Sequence, residues 1–582
     1  MDNKALAGIL YETADLLEID GQDSFRIRSY RNAAQSIEAI PQQISELIAE
    51  PKKVLEIPGI GKGMLQNLQE MLKEGRLSAH AELLNKYRPS MLDLLKIQGL
   101  GPKTIALIWS AYQICDVEGV EKLAREGKIR VLPRMGEKQE TKLLKAIEDY
   151  RRIAGRFLLD SAEAQANKII EHLKGQSGIE KVTPAGSLRR GRETVGDLDI
   201  LVTGKACCDD EERQKLIDHI IKLPGLMEII ARGENKVSFR MRGGMQVDVR
   251  LLAPESFGAA MQYFTGSKAH NVTLRQRALK MGYTLSEYSL ARVDNGEVVA
   301  SMTEEEIYSK LKLDYVLPEL RENCGEIDAA ADHTLPTVIS QSDLQGDVHM
   351  HTVETDGRNT IEEMAEAARQ RGYKYMAITD HSKNLAFANG LDDKRAVEHI
   401  ARIRDADKKM DGIKIFAGVE VDILADGSLD LSDDVLAEMD LVIASVHSHM
   451  NDQSTAQMTE RLLKAVSNPN TSIIGHPTGR LLLRRDAYPF DVHAILKAAA
   501  QHKVAMELNA YPDRLDLCDR HLRLAKQNGV KIVINTDSHH TSHLDKIRFG
   551  VLQARRAWLT KEDILNTLPV QKFAKAMKHS WT

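Results

Sequence analysis

Apolar residues recur at helical spacing through the first 150 residues of the chain. Segments from Asn3 to Leu17, Ser29 to Ala39 and Met64 to Leu72 place apolar side chains at positions i, i+3 and i+4, which predicts short amphipathic helices. No apolar run approaches the roughly 20 residues that a membrane span needs, so no membrane contact is expected. The N-terminal region is therefore predicted to be all-α.

The pattern becomes mixed between residues 156 and 317. A helical segment from Ser161 to Leu173 leads to two strand-like runs, Leu198 to Val202 and Gln246 to Leu252, and the stretch Phe257 to Thr265 follows. Apolar periods of both kinds within one region predict an α+β domain.

After a segment at 318–340, whose prolines and scattered acids predict a linker, short strand-like runs alternate with helices. This alternation predicts a parallel β/α barrel, in which functional residues collect at the carboxyl ends of the strands. The strand-like runs are 346–350, 375–379, 413–421, 441–445, 472–474, 504–508 and 531–535. With 582 residues the chain is too long for one core, and several domains are expected. We divide it at 1–90, 91–155, 156–317, 318–340 and 341–575.

Three segments of the N-terminal region resemble one another. They are Ile57–Gly61 (IPGIG), Ile97–Gly101 (IQGLG) and Leu132–Gly136 (LPRMG), about 35 to 40 residues apart, which suggests an internal repeat. Glycine before a helix lets a phosphate approach the backbone and the N–H groups of that helix. A plain helix-ending glycine is the alternative for any single copy. Two good copies predict helix-hairpin-helix contact with a DNA backbone through Gly59, Gly61, Gly99 and Gly101.

In the third segment Arg134 replaces the first glycine, so that copy is predicted to be structural. The net charge of −5 does not indicate a nucleic-acid partner, but residues 51–110 hold nine basic and five acidic side chains. Five scattered cysteines suggest reduced thiols in a cytoplasmic protein, and the first ten residues show no secretory signal.

The strongest motif of the first half is AGSLRRGRETVGDLDI, Ala185–Ile200. Asp197 and Asp199 lie two apart in an extended run and so face one side of a strand, and Asp248 can lie on a neighbouring strand. Three such acids can bridge two Mg²⁺ or Mn²⁺ ions, one activating a 3′-hydroxyl and one neutralising a triphosphate. The alternative for a lone Asp-x-Asp, a solvated strand end, loses weight beside Gly186-Ser187 and the charge of Arg190.

These residues resemble the family X DNA polymerases of the nucleotidyltransferase superfamily. The match continues through Tyr263–Ser267 (YFTGS) and Glu287-Tyr288, and covers residues 1 to about 317. The resemblance implies a palm and thumb, deoxynucleotides as substrates, and gapped or nicked DNA as the partner. It implies minor-groove contacts for Asn271 and Arg275. It implies nucleotide binding by Gly186, Ser187, Arg190, Gly196, Tyr263, Phe264, Gly266 and Asn271, with Arg156 a weaker candidate.

One position departs from the family. Members that remove a 5′-deoxyribose phosphate use a lysine on the helix after the first hairpin, and here that place holds Asn67. Asparagine cannot form an imine, so such a lyase is not expected, although Lys62 is nearby. Arg26, Tyr30 and Lys62 remain candidates for a 5′-phosphate, with solvated side chains as the equal alternative.

Histidine is concentrated in the second half, where 14 of the 19 histidines follow residue 340. Nearly every strand-like run there ends in a histidine or an acid, a donor set that suits Zn²⁺, Mn²⁺ or Fe²⁺. Up to three ions could be held and could position a phosphoryl oxygen. Glu507 and Asn509 stay unassigned. The predicted ligands are His349, His351, Asp356, His381, Glu420, His447, His476, Asp537 and His539.

The same residues resemble the PHP family of polymerase and histidinol-phosphatase domains, over about residues 341–570. The resemblance implies a distorted (β/α)₇ barrel holding Mn²⁺ or Zn²⁺, and a working hydrolase because no ligand is missing. A polymerase followed by PHP is similar to the bacterial family X enzymes, which implies Mn²⁺-dependent 3′–5′ exonuclease activity and incision at abasic sites.

The leading hypothesis is therefore a repair polymerase that fills short gaps in base excision repair and cleans 3′ ends, acting as a monomer in the bacterial cytoplasm at the nucleoid. The alternatives are a small-molecule phosphatase of the histidinol-phosphate type fused to a DNA-binding module, and an inert DNA scaffold.

Overall fold

The computed structural model describes residues 1, 3–39, 43–88, 90–97, 99–385 and 388–578. The chain forms two compact units, Met1–Ala154 and Gly155–Thr582. Among the described residues no helix is both long and apolar enough to cross a membrane.

The first unit is built from short helices, as the apolar spacing predicts. The two hairpin regions share one apolar core that extends from Leu6 to Ile147, so they pack as one body rather than as two. The helices are α1 Asn3–Ile19, α2 Ser24–Ala39, α3 Ile44–Leu47, α4 Pro51–Leu55, α5 Lys62–Glu74, α6 Ser78–Lys86, α7 Ser90–Leu94, α8 Pro102–Tyr112, α9 Val117–Arg125 and α10 Glu137–Ile153.

The three similar segments adopt the same backbone shape, which confirms the internal repeat. Their third residues, Gly59, Gly99 and Arg134, have φ values of 83°, 88° and 64°. Each segment runs directly into a helix, α5, α8 or α10. This left-handed region suits glycine and costs another residue roughly 1 kcal/mol or more, so the third copy keeps the turn at some cost.

The second unit begins with an α+β domain, the palm, whose sheet has the strand order β2-β4-β7-β6-β5. Strands β4 and β7 run parallel, and β4 lies between β2 and β7. The elements are β1 Phe157–Leu158, α11 Leu159–Leu173, β2 Lys181–Pro184, α12 Gly186–Arg189, β3 Thr194–Val195, β4 Asp197–Thr203, α13 Asp210–Ile220, β5 Leu226–Arg232, β6 Lys236–Met241, β7 Gln246–Leu252 and α14 Phe257–Thr265.

A smaller subdomain, the thumb, follows with a three-stranded antiparallel sheet of order β10-β9-β8. Its core extends beyond the predicted boundary at residue 317, because Leu320, Ile327 and Ala330 belong to it. The elements are α15 Lys268–Lys280, β8 Tyr283–Leu285, β9 Leu290–Arg292, β10 Val298–Ala300, α16 Glu304–Lys310 and α17 Glu326–Ala331.

The segment 318–340 is therefore not an irregular linker over its first half. Arg321 is fully buried, and its Nη1 donates to Glu304 Oε1 at 2.6 Å. Glu326 is also fully buried and accepts from the ring of His270 at 2.7 Å. Charged residues made this stretch look solvent-exposed, but each of these charges is paired inside the thumb.

The rest of the second unit is a barrel of parallel strands in sequential order from β11 to β17, as the alternating pattern predicts. The elements are β11 Gly346–Asp347, α18 Ile361–Gln370, β12 Tyr375–Ile378, α19 Asp393–Lys409, β13 Lys414–Asp422, α20 Asp433–Glu438, β14 Leu441–Ser445, α21 Thr455–Ser467, β15 Ile473–Ile474, α22 Val492–His502, β16 Ala505–Asn509, α23 Asp519–Gln527, β17 Ile532–Asn535, α24 Ile547–Arg556 and α25 Val570–Ala576.

The barrel and the palm share apolar contacts. Leu515 and Phe549 of the barrel are fully buried within the core cluster of the palm. The predicted boundaries at 317 and 341 therefore separate chain segments, whereas the packing of palm, thumb and barrel is continuous.

The seam between the first and last barrel strands is closed largely by a side chain. Just beyond the ends of β11 and β17, Met350 and Ser538 form an isolated parallel bridge. Below it the fully buried Asn566 donates to Gly346 O at 2.8 Å and to Ile534 O at 2.7 Å. Its Oδ1 accepts from Ile534 N at 3.1 Å.

We expect Asn566→Ala to loosen this seam. Each buried backbone group left without a partner costs roughly 1–3 kcal/mol, so amide exchange in β17 should become at least about tenfold faster. Hydrogen–deuterium exchange of peptides covering residues 530–536 measures this. The exposed Asn528, which donates to Leu524 O at 2.8 Å, supplies the control variant Asn528→Ala. Unchanged exchange in Asn566→Ala would show that the barrel closes without this side chain.

Candidate active sites

The three palm carboxylates meet where β4 and β7 begin. Asp199 lies opposite Asp248 in the ladder of these strands, and Asp197 lies two residues before Asp199, on the same face. Asp197 is exposed, Asp199 is half-buried and Asp248 is 8% exposed. The geometry predicted from the Asp-x-Asp spacing and the downstream strand is present.

The electrostatics of this trio favour a divalent cation. Burial, together with the neighbouring charges of Asp197 and Asp248, raises the pKa of Asp199 to about 6. Burial opposes ionisation of Asp248 as well, but hydrogen bonds with Lys236 and Ser238 outweigh it and lower the pKa of Asp248. Asp248 Oδ1 is buried and has no hydrogen-bond partner among the described residues. Clustered carboxylates with an unpaired oxygen suit hard cations such as Mg²⁺ and Mn²⁺.

Gly186 makes room for this cluster. A Cβ on Gly186 would lie 2.5 Å from Asp199 Oδ2, and its φ of +59° is in the left-handed region. Any side chain here would displace the carboxylate of Asp199. The glycine therefore has a packing role in addition to the phosphate contact predicted for it.

A cavity of about 460 Å³ opens beside the carboxylates. It gathers most of the predicted nucleotide-binding residues, together with Arg275. Lys268, directly after the YFTGS stretch, also lines the cavity and was missed by the sequence analysis, although its position beside that motif is a signal. The lining is Gly186, Ser187, Arg190, Asp197, Asp199, Tyr263, Phe264, Gly266, Lys268, Asn271 and Arg275.

Gly196 is not part of the cavity lining. It lies near Arg156, whose Nη1 would be 3.8 Å from a Cβ at this glycine. Arg156 in turn donates through Nε to Thr194 Oγ1 at 2.7 Å and through Nη2 to Thr194 O at 2.6 Å. Arg156 thus holds the turn before β4, and nucleotide binding by Gly196 stays a prediction.

The aromatic pair and Asn271 are tied to the end of α14. Tyr263 and Phe264 meet edge to face with centroids 5.1 Å apart. Asn271 accepts from Gln262 Nε2 at 2.8 Å and donates to Tyr263 O at 2.7 Å. These two bonds use one lone pair of the amide oxygen and one amide hydrogen, so the second lone pair and the second hydrogen remain for a base pair.

Residues 186–192, named here the phosphate loop, present Arg190 to the cavity. Arg190 Nε donates to Glu322 Oε1 at 3.0 Å, and its Nη1 donates to Thr265 O. Nη2 makes no hydrogen bond with any residue that the structure describes. This nitrogen is left for an anionic oxygen in the cavity.

In the first unit the four hairpin glycines are exposed. A Cβ at Gly61, Gly99 or Gly101 would meet nothing within 4 Å among the described atoms, so open space surrounds these backbones. Tyr30 differs, because it is 6% exposed and belongs to the apolar core. Its hydroxyl accepts from Asn67 Nδ2 at 3.1 Å. The ring therefore packs, and any DNA contact by Tyr30 is limited to its hydroxyl.

In the barrel all the predicted ligands converge at the carboxyl ends of the strands. Among the described residues, three interlocking groups have candidate ligand atoms within 4.8 Å of one another, and His351, His381 and Glu420 each belong to two groups. His476 joins through Nε2, 2.9 Å from Glu420 Oε1, and Asp537 joins through Oδ1, 3.2 Å from His351 Nε2. The groups are His351, Asp356, His381 and His539; His349, His351 and Glu420; and His381, Glu420 and His447.

The barrel cluster fits several metal ions. Burial opposes ionisation of Glu420, but His447, His349 and His381 outweigh it and hold its pKa well below the usual range. Buried atoms without a hydrogen-bond partner among the described residues include His349 Nε2, His351 Nδ1 and Glu420 Oε2. Such atoms are candidate ligands, since burial leaves a polar atom costly until it is bonded.

Comparison with known proteins agrees with these geometries. Family models match residues 260–322 as DNA polymerase beta thumb and 347–537 as PHP domain. Residues 1–77 match a helix-hairpin-helix domain and 91–149 a SAM-like helix-hairpin-helix tandem. The DNA polymerase/3′-5′ exonuclease PolX of Bacillus subtilis (strain 168) is 36% identical over 582 residues, which is 100% of both chains. The chain belongs to the PolX family.

The barrel alone has further relatives. A probable phosphatase of Thermoanaerobacter sp. (strain X514) is 29% identical over 38% of this chain and 89% of its own. A probable phosphatase of Caldicellulosiruptor saccharolyticus is 32% identical over 34% of this chain and 80% of its own. The PolX chain thus joins a DNA polymerase and an exonuclease module, and the second module is similar to proteins named as phosphatases.

Buried polar side chains surround the barrel ligands and contact them. The sequence analysis did not assign roles to these side chains. Glu507 Oε1 is 2.7 Å from His349 Nδ1, and its Oε2 accepts from His476 N at 2.6 Å. Asn509 Nδ2 donates to Asp537 Oδ2 at 3.1 Å. Glu507 and Asn509 end the sixth barrel strand and complete the pattern of polar strand ends, which was the available signal.

The sequence analysis also did not predict a role for Arg514, because the neighbouring sequence contains no motif that indicates one. Its Nε is 3.7 Å from Asp537 Oδ2. Its Nη1 is buried and unbonded within the described part of the chain. A guanidinium with an unused donor at a metal-ligand cluster can hold a phosphoryl oxygen.

We expect Gly186→Ala to reduce nucleotide incorporation by about 100-fold or more, since displacement of a reacting group by about 1 Å has effects of this size. Primer extension on a gapped duplex measures it. Gly296→Ala is the control, because Gly296 has a φ of +74° and nothing within 4 Å of its Cβ among the described atoms. If both variants retain full activity, Gly186 is not needed to make room for Asp199.

We expect Glu507→Gln to weaken Mn²⁺ binding by about 10- to 100-fold, the range seen when a partner of a metal ligand is lost. Glutamine replaces one of the two carboxylate oxygens with an NH₂ donor, so it cannot keep both the contact of Oε1 with His349 and the bond that Oε2 accepts from the amide of His476. Calorimetric titration of metal-depleted protein with Mn²⁺ measures the affinity. The exposed Glu398→Gln should bind Mn²⁺ as the unaltered protein does, and equal affinity in both variants would contradict the assignment.

Proposed function

We propose that this PolX chain fills short gaps in DNA at the palm and trims 3′ ends at the barrel, in base excision repair. The observation that carries the proposal is the presence of two complete sites in one compact unit: three carboxylates beside a nucleotide-sized cavity, and the interlocking ligand groups of the barrel.

In the palm, Asp197, Asp199 and Asp248 would hold two Mg²⁺ or Mn²⁺ ions. When bound, such ions activate a 3′-hydroxyl and offset the charge of a triphosphate. The phosphate loop supplies the hydroxyl of Ser187 and the free nitrogen of Arg190 toward the phosphates. Tyr263 and Phe264 form an apolar wall for the sugar and base of the incoming nucleotide.

In the barrel, the histidines and acids would hold up to three Mn²⁺ or Zn²⁺ ions. Once bound there, such ions would provide a hydroxide nucleophile and polarisation of a phosphodiester. Glu507 fixes the orientation of His349, and Asn509 fixes that of Asp537. Arg514 offers Nη1 to a non-bridging phosphate oxygen. Incision at an abasic site would be a further phosphodiester hydrolysis at the same cluster.

The partner is gapped or nicked DNA bound by its backbone at the exposed glycines Gly59, Gly61, Gly99 and Gly101, with deoxynucleotides as substrates. We propose that the protein acts as a monomer at the nucleoid in the bacterial cytoplasm. The place of the lyase lysine is taken by Asn67, which bonds to Tyr30, so no 5′-deoxyribose phosphate lyase of that type is proposed.

A second candidate, hydrolysis of small phosphate esters by the barrel, is favoured by its similarity to proteins named as probable phosphatases. The match to PolX over the whole chain favours DNA instead. Turnover of histidinol phosphate by the full chain, at a rate above its release of 3′ nucleotides, would support the phosphatase.

We expect the two activities to separate. Asp197→Ala/Asp199→Ala should lower primer extension on a gapped duplex with Mg²⁺ by at least about 100-fold, while Mn²⁺-dependent release of 3′ nucleotides continues. His349→Ala/His351→Ala should show the opposite loss. The activity that each variant retains shows that it is folded. A variant that loses both activities would argue against two separate sites.

A further inference from the structure

One helix of the barrel packs directly on the phosphate loop of the palm. Helix α24 places Leu552 so close that its Cβ would lie 3.3 Å from a Cβ on Gly191, which has a φ of +63°. The fully buried Gln553 donates through Nε2 to Gly191 O at 2.7 Å. The loop thus takes part of its main-chain support from outside the palm.

The last residue of α24 extends this contact to Arg190. Arg556 is 1% exposed, and its Nη1 donates to Arg190 O at 2.8 Å and to Glu322 Oε1 at 2.9 Å. Its Nη2 donates to Asp519 Oδ2 at 2.7 Å. One guanidinium therefore joins the phosphate loop, the end of the thumb and the barrel.

Glu322 is shared between two arginines. The oxygen that accepts from Arg556 also accepts from Arg190 Nε at 3.0 Å, while Arg192 Nη1 lies 3.8 Å from the other oxygen. Because a carboxylate can take a guanidinium in a two-point fork, Arg190 left alone with Glu322 could turn toward it. Arg556 occupies that oxygen and fixes the carbonyl of Arg190, which keeps the guanidinium directed into the cavity.

We propose that Arg556, a barrel residue, is a positioning residue for nucleotide binding in the palm. It acts through the main chain of the phosphate loop and through Glu322 to hold Arg190 toward the triphosphate. This inference rests on the proposed role of Arg190 as a triphosphate contact. It predicts that the affinity for the incoming nucleotide depends on a residue outside the polymerase domain, while the barrel's own cluster does not depend on it.

The test is single-turnover insertion of one nucleotide into a gapped duplex by the full chain with Mg²⁺, over a range of deoxynucleotide concentrations. We expect Arg556→Gln to raise the apparent Kd for the nucleotide about tenfold and to change the maximal rate less than about threefold, the pattern of lost ground-state binding. Arg556→Lys keeps the charge but not the fork and should give an intermediate Kd.

Arg555→Gln is the matched control. Arg555 lies next to Arg556 on α24, pairs with Glu319 at 2.8 Å and donates to Ile339 O at 3.1 Å. Within the described part of the chain it makes no hydrogen bond or ion pair with the phosphate loop. Its variant should keep the Kd of the unaltered protein. An equal rise of Kd in Arg555→Gln and Arg556→Gln would overturn the proposal, because general loosening of the barrel would then explain both.

Two further variants keep the test decisive. If Arg556→Gln fails to fold, as judged by loss of Mn²⁺-dependent release of 3′ nucleotides, Gln553→Leu decides, since it removes only the neutral bond to Gly191 O. A Kd raised twofold or more supports the inference, and an unchanged Kd overturns it. The variant Arg190→Gln tests the proposed role of Arg190 separately from the role inferred for Arg556. If it leaves the Kd unchanged, the proposed role of Arg190 fails as well; if it raises the Kd while the α24 variants do not, only this inference fails.

Discussion

Both sites depend on holding ionisable side chains close together, with several of them buried. A buried charge is costly unless an opposite charge or a hydrogen bond compensates it. In the barrel the compensation is mutual, because Glu420 is 1% exposed among imidazoles. In the palm, Lys236 forms an ion pair with Asp248, and Asp199 keeps a raised pKa. Much of the surrounding architecture serves to enforce these close approaches.

The backbone shows that enforcement. Asp537 and His476 have φ values of 54° and 25°, a region that costs a non-glycine residue of order 1–3 kcal/mol. Fully buried neighbours hold both, with Asn509 bonded to the side chain of Asp537 and Glu507 to the amide of His476. Packing of the strands thus compensates for strain at the ligands.

Periodicity was sufficient to predict what lies along one strand. The alternation in Ala185–Ile200 placed Asp197 and Asp199 on one face, and the polar residue at each strand end located the barrel cluster. Pairings between distant segments were not predictable in this way. The role of Glu507 became apparent only when His349, 158 residues away, lay beside it. Arg321 and Glu326 appeared to be surface charges, because their burial depends on partners that the local sequence does not show.

Helix α24 connects the barrel's ligand cluster to the palm. It follows the turn that carries Asp537 and His539, and its other end contacts the phosphate loop. Phe549 on the same helix is buried in the core of the palm. The stability of the palm therefore includes a contribution from the barrel, so a truncation between thumb and barrel would expose apolar surface on both.

Asn566, which closes the seam, also lies where the chain enters the barrel. Because Asn566, which follows the last strand and helix α24, donates to Gly346 at the start of the first strand, the segment after the barrel strands returns to the point where the chain enters the barrel. A barrel built in this way can be joined to the end of another protein without interrupting any sheet. The probable phosphatases, whose matches cover 89% and 80% of their own length but only 38% and 34% of this chain, are proteins of nearly the barrel's own size. In this chain the same barrel also packs on the palm through α24.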